Sequence, residues 1–525
     1  MLICESDISE LNNKEALVSE QELLNVLRRY NLRDALIACS LSSKIITQYN
    51  GENKIGNSGV RDPRNGLIMT QFFLAYLANL MLITGSNDFK KKKLSDKNKQ
   101  NIDVLCGIYN GKIETPELAR EGMDYEQFKS FFIRMYFEQM SGFQFDQVVI
   151  ISRNLIFYLD ILPLSELSDK LGNLEDLFYK ENKITIQEYF QIAFCVWAIA
   201  MKDVAFKAEQ LTMAQIDSLK DTLQKTNLFL DILKTNYNSF KELDEKMNSQ
   251  FGNEYTKNRF NPLFVYPIIE TQISEDGRKY VIPSFPVYVD KVFRGIFWWF
   301  NNYYEQEGKA RDFRDFFGKQ IFENYVKMVL ETIFGDCSVN KFIFKNGDEF
   351  FDWYIIKDDK VYLFETKAYQ FNLQNKTTAE KDSIIDVEMK KIAYAMKQVN
   401  KNLKKVDTNE ELDLFRNKKI IPIIIVLEMP FIESNLYDDW LLKKDIKKED
   451  IVRMMNIEEL EAYEKGKDIA ELEDLLDTVR NDHTKNFTSL LKEKGITYFR
   501  NSILEKKYKD FGKLMATGVE FTGKN

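Results

Sequence analysis

The chain has 525 residues, more than one hydrophobic core usually organises, and its 44% hydrophobic and 29% charged content suits a globular protein of two or three domains. A formal net charge of −8 excludes coating nucleic acid through bulk positive charge, so any contact with DNA or RNA has to come from a local basic patch. Five scattered cysteines (Cys4, Cys39, Cys106, Cys195 and Cys337) without a CxxC argue against a disulfide framework, and a single histidine, His483, in a polar helical stretch argues against a Ser/His/Asp triad and excludes two-histidine zinc chemistry.

The N-terminal stretch MLICESDISELNNKE carries acids and no apolar run, so it does not read as a signal peptide, and a cytoplasmic location is expected. The apolar stretch 66–85, GLIMTQFFLAYLANLMLITG, is long enough to span a bilayer. Gln71, Asn79 and two threonines interrupt it, so a buried helix is expected and no membrane partner. Lysines 90–93 with Lys97 and Lys99 form a solvated or phosphate-contacting loop after it. Segments such as QEYFQIAFCVWAIAMKD repeat apolar residues at helical spacing, and residues 1–255 are expected to form an all-α domain. That domain could serve as a surface for a protein partner or for self-association.

The character changes near Asn261-Pro262. PIIETQISEDGRKYVIPS predicts a β-hairpin about Glu275-Asp276-Gly277, followed by an aromatic helix over 297–304 and a second helix, DFFGKQIFENYVKMVLETIFG. Three β-like runs come next: VNKFIF, EFFDWYIIK and VYLFETKAY. After them stand the helix VEMKKIAYAMKQVNKNLKK and the apolar run IIPIIIVLEM, which suits a strand buried on both faces. Residues 256–430 therefore predict an α/β domain, and 431–525 a helical C-terminal region of acidic amphipathic helices.

Within this region the chemistry concentrates at one hairpin. A tight turn centred on Asp358-Asp359 would place Asp352 directly opposite Glu365, with Cβ atoms about 4.5–5.5 Å apart. Two carboxylates that close repel unless a cation lies between them. Lys367, two residues beyond Glu365, shares its face, while Thr366 points its side chain away and offers a backbone carbonyl. Phe351, Trp353 and Ile355 would lie on the face opposite Asp352. Oxygen ligands without thiolate or imidazole select Mg²⁺ or Mn²⁺.

Asp352, twelve residues, then Glu365-Thr366-Lys367 resembles the PD-(D/E)XK nuclease superfamily, the restriction-endonuclease-like fold, over about residues 310–430. Phe351 stands where the motif's proline would be. The resemblance implies a core of helix, three antiparallel strands, helix and strand. It implies Asp352, Glu365 and the Thr366 carbonyl as metal ligands, with Lys367 orienting or deprotonating the attacking water. Glu323 would be the acid on the preceding helix, and Gln398 an added polar residue on the following one. On that later helix Met389, Ile392, Met396, Val399 and Leu403 form a core stripe, while Lys390, Tyr394, Lys397, Lys401 and Lys404 line a basic face suited to phosphates. The expected function is a Mg²⁺- or Mn²⁺-dependent nuclease acting first on DNA, in restriction or phage defence. The alternatives are RNA as substrate and an inactive nucleic-acid-binding or scaffolding subunit.

Overall fold

The computed structural model describes residue 28 and residues 31–53, 59–61, 68–84, 146–166, 169–212, 221–249, 260–370, 381–428, 441–442, 444–447, 450–482 and 485–515. The lysine cluster at 90–99 and His483 lie outside the described residues. The architecture is mixed helix and sheet, with helix dominant and two four-stranded mixed sheets.

Helices α1 (Leu32–Asn53) and α2 (Gln71–Thr84) pack on each other. Leu74, Leu77 and Leu82 of α2 are wholly buried in a cluster that includes Leu36, Cys39, Phe240 and Val281. The polar interruption Gln71 is satisfied there, accepting from the Ser43 hydroxyl and donating to the Ser43 carbonyl, each at 2.8 Å. The apolar stretch is thus core over its helical part.

Strands β1 (Gly59–Arg61) and β2 (Ile68–Thr70) pair antiparallel. The first four-stranded sheet joins β3 (Ala205–Phe206), β4 (Lys234–Asn236), β5 (Ile268–Glu270) and β6 (Tyr280–Val281) in the order β3-β6-β5-β4. β5 and β6 are the expected hairpin, but β1 to β4 correct the reading of residues 1–255 as all-helical. Strands of two or three residues are too short to display alternation, and β3 and β4 are held by the edges the hairpin offers.

The principal core draws on α3 (Gln147–Leu155), α4 (Ile186–Asp203), α5 (Gly295–Gln306) and α6 (Glu323–Ile333). A capping box starts α4: Thr185 and Glu188 exchange side-chain-to-backbone bonds at 3.1 and 3.0 Å. One cluster of buried residues takes its members from Ile150 to Met515, on both sides of 255/256 and of 430/431.

The second sheet comprises β7 (Trp353–Lys357), β8 (Lys360–Lys367), β9 (Lys419–Val426) and β10 (Arg453–Asn456), ordered β10-β9-β8-β7. β7 and β8 are antiparallel, and β8, β9 and β10 are mutually parallel. Helix α7 (Lys381–Leu403) makes the crossover from β8 to β9, as a parallel connection requires. Two expectations are corrected. The run at 339–344 forms no continuous strand and touches its neighbours through single bridges, Asn340 with Tyr354 and Ile343 with Glu349. Beyond 430 the chain is not wholly helical, because the four residues of β10 fill the open edge of β9 before α8 (Ile457–Tyr463), α9 (Leu472–Asn481) and α10 (Ser502–Met515) follow.

A buried ion pair ties α3 to α8 across a long stretch of sequence. Arg153 on α3 donates to both carboxylate oxygens of Glu461 on α8, at 2.8 and 2.6 Å, and to Glu458 at 2.7 Å. The Tyr325 hydroxyl of α6 adds a bond to Glu461 at 2.5 Å. Arg153→Ala leaves Glu461 buried without its cation and should destabilise the fold by roughly 3–5 kcal/mol. Urea unfolding would measure this, and Arg153→Met paired with Glu461→Leu should recover most of the loss; an unchanged midpoint for the single variant would refute the role.

Candidate active site

The hairpin that positions the site follows the expected register. Asp358 occupies the left-handed region at φ 55°, which aspartate tolerates, and Lys357 faces Lys360 across the two-residue turn. The ladder runs to Trp353 facing Phe364 and stops there. Asp352 lies on a bend one residue before β7, where the same register brings it toward Glu365.

Alternation sorts the side chains of β8. Val361 and Leu363, on the Glu365 face, pack with Ile392, Met396 and Val399 of α7. Tyr362 and Phe364 pack in the principal core. The bend corrects two expectations about its surroundings. Phe351 packs on the α7 side rather than with Trp353, because strand alternation has not begun at that residue. Thr366 does not turn away: its backbone N–H and hydroxyl both donate to Asp352 Oδ2, at 2.6 and 2.7 Å. Released from the ladder, the Asp352 carboxylate reaches the Thr366 donors and is held by them.

The remaining expected residues gather around this pair. Lys367 Nζ donates to Glu365 Oε1 at 2.6 Å and to Gln398 Oε1 of α7 at 3.4 Å. Glu323 opens α6, and its backbone carbonyl accepts from Trp353 Nε1 at 3.0 Å, fixing helix against strand. Its carboxylate pairs with Lys341 at 3.2 Å, and Lys341 also pairs with Glu349 at 3.1 Å. Glu323, Glu349, Asp352, Glu365, Thr366, Lys367 and Gln398 all line one cavity of about 1630 Å³. Sequence reasoning missed Glu349 and Lys341; the first had a signal in its position three residues before Asp352, whereas Lys341 reaches the site only through the bridge that seats its neighbour Asn340 against β7.

Electrostatics mark the cluster as strained. Burial, then the Asp352 charge, pushes Glu365 up to about 7 and Glu323 up to about 8, against the pull of Lys367 and Lys341. Desolvation of the Lys367 ammonium is outweighed by Glu365 and Asp352, which hold its pKa above the usual lysine value. Among the described residues no three His, Cys, Asp or Glu side chains are arranged to hold an ion by themselves. The donor set that fits a hard divalent cation is therefore Asp352 and Glu365 with a carbonyl such as that of Thr366, completed by water or substrate oxygen. Buried carboxylates that resist ionisation are groups whose charge a cation would stabilise.

The five residues of the basic face lie beside this cluster rather than in it. Lys390, Tyr394, Lys397, Lys401 and Lys404 are all exposed, Tyr394 to 70%. Tyr394 stands one helical turn before Gln398, so the strip adjoins the cavity side of α7. Ile392, Met396 and Val399 form the buried stripe with Leu403 packed against it; the side chain of Met389 is outside the described residues. Comparison with protein-family models, with curated proteins and with solved structures finds no match to this chain.

The raised carboxyl groups set a pH dependence. Folding retains protons that the unfolded chain releases near the ordinary glutamate pKa of about 4.3. Stability from Glu323 and Glu365 is thus complete at low pH and lost as pH climbs through about 7 to 8. Without divalent metal, the melting temperature of wild type should fall relative to Glu323→Gln between roughly pH 5 and 8, and Mg²⁺ at the upper pH should restore it. Parallel melting curves for the two proteins across this range would contradict the assignment.

Proposed function

We propose that this chain is a metal-dependent nuclease of PD-(D/E)XK type that hydrolyses phosphodiester bonds, with DNA as its substrate and restriction or phage defence as its setting. The observation that carries the reading is the convergence of Asp352, Glu365 and Lys367 at the end of β8, on the lining of a large cavity. Asp352 and Glu365 would hold Mg²⁺ or Mn²⁺, which would supply an acidified water and neutralise charge on the leaving oxygen. Thr366 keeps the Asp352 carboxylate oriented through its two donors. Gln398 and Glu365 hold the Lys367 ammonium beside the reacting phosphate, where a fixed positive charge stabilises the phosphorane-like transition state. Lys397, Lys401 and their neighbours would contact flanking phosphates and so govern affinity rather than rate.

A second reading is an inactive nucleic-acid-binding subunit. One observation favours it: Lys367 Nζ already occupies Glu365 Oε1, and in such a protein the ammonium would stand permanently in place of a metal.

Incubation with plasmid, linear and single-stranded DNA and with RNA separates the two. Cleavage is expected with Mg²⁺ or Mn²⁺ and none in excess EDTA. Asp352→Ala and Lys367→Ala should each slow cleavage by about 100-fold or more while retaining binding in Ca²⁺. Lys397→Ala with Lys401→Ala should weaken binding, flatten its salt dependence and spare single-turnover cleavage at saturating protein. Cleavage that persists in EDTA, or variants at positions 352 and 367 that cut like wild type, would sink the proposal. Binding with no cleavage under any condition would favour the inactive subunit.

A further inference from the structure

The cavity has a wall that the chemistry above does not use. Two π-helical turns, Asp290–Arg294 and Phe317–Phe322, interrupt otherwise α-helical chain on this side. Such turns are rare and are found frequently at functional sites, where the extra residue re-aims a side chain. Both turns lie close to the end of the sheet that carries the carboxylates. Arg294 pairs with Glu428, two residues past β9, at 3.3 Å and with Asp290 at 3.2 Å. Gly318 lies against the residue after Lys367: a Cβ placed on it would stand 4.0 Å from that of Ala368.

The turns present Lys291 and Lys319 to the cavity, and α5 presents Trp298. Among the described residues neither lysine forms an ion pair within 4.0 Å, although other cations of this wall do, Lys170 with Asp312 at 2.7 Å and Arg294 as above. Lys319 is exposed and Lys291 is half-buried. Burial lowers the pKa of Lys291 and Asp290 offsets this only in part, so the ammonium stands in a wall where an anion would stabilise it. Trp298 is half-buried and braced edge-on by Phe297 at 5.1 Å.

Lysines of this kind match the phosphates of a nucleic acid, and an indole on the same cavity lining matches the face of a base. In a duplex each base face is covered by its neighbours, so an aromatic wall is served only by a base that is unstacked. At about 1630 Å³ the cavity exceeds a drug-sized site of roughly 300–1,000 Å³, leaving room for more than one nucleotide of a single strand. Resting on the reading of Asp352, Glu365 and Lys367 as a phosphodiesterase centre, we propose that this wall binds an unpaired nucleic-acid strand. Lys291 and Lys319 hold phosphates next to the scissile one, and Trp298 stacks on an unpaired base.

The test uses the full chain in Ca²⁺ with fluorescein-labelled strands of about 12 nucleotides, within the range one strand-binding site covers. Single-stranded DNA, the same sequence as RNA, and the DNA duplex are compared by anisotropy. Single strands should bind at least about tenfold more tightly than duplex, and Lys291→Gln with Lys319→Gln should weaken them about tenfold while reducing the salt slope by about 1.4. Trp298→Leu should cost a similar factor, and Trp298→Phe should restore most of it. If the Lys291 variant melts early, Lys319→Gln alone, at an exposed position, serves in its place. Equal binding of RNA and DNA supports a wall that ignores the 2′-hydroxyl, and binding of RNA alone supports the wall with RNA as its strand. Preference for duplex, or wild-type affinity in these variants, overturns the proposal. Tight binding of single strands that these variants weaken, with no cleavage in Mg²⁺, supports the wall and overturns only the nuclease reading.

Discussion

Glu365, Thr366 and Lys367 take their places from β8, a strand buried on both of its faces. Val361 and Leu363 are wholly enclosed against α7, and Tyr362 and Phe364 are wholly enclosed in the principal core. A slip of one residue would exchange these sets and carry Glu365 into the aromatic core beside Phe334. Two incompatible packings therefore hold the register, and the Asp358 turn holds it from the other end. The site inherits this precision because its residues stand at the last turns of pleat before the strand leaves the sheet. Parallel pairing with β9 along the full length of β8 adds a second rigid neighbour.

Two clusters of buried charge among the described residues stand in different surroundings. Around Arg153 the guanidinium meets two glutamates and a tyrosine, and the cluster joins α3, α6 and α8. At the end of β8 the acids outnumber the cations: Glu323, Glu349, Asp352 and Glu365 face Lys341 and Lys367. Burial, with the Asp352 charge added to it, raises the proton affinity of Glu323 and Glu365. The first cluster fastens helices to one another, whereas the second lines a cavity.

Much of this was legible along the chain because it depends on local pattern. The β7–β8 hairpin, the apolar run of β9 and the buried stripe of α7 are set by alternation and helical spacing, which neighbouring residues alone establish. From those patterns Asp352, Glu365 and Lys367 could be named as one constellation, the family resemblance added Glu323 and Gln398, and all five line one cavity. The basic face of α7 was visible for the same reason, since exposure on a helix follows its period.

The remainder was decided only by contacts between distant segments. β3, β4 and β10 have two to four residues each, too few for a period, and they exist because another strand leaves an edge open for them. The bend at Asp352 removes that residue from the alternation, so its bonds to Thr366 and the packing of Phe351 could not be read from spacing. The π-turns bearing Lys291 and Lys319 have no sequence period, and their place beside β8 is made by the Arg294–Glu428 pair and the contact at Gly318. Local periodicity determined which elements form and which residues they offer to a site. Tertiary packing determined which of those offers meet, because partners far apart in sequence are brought together only when the shared core closes around them.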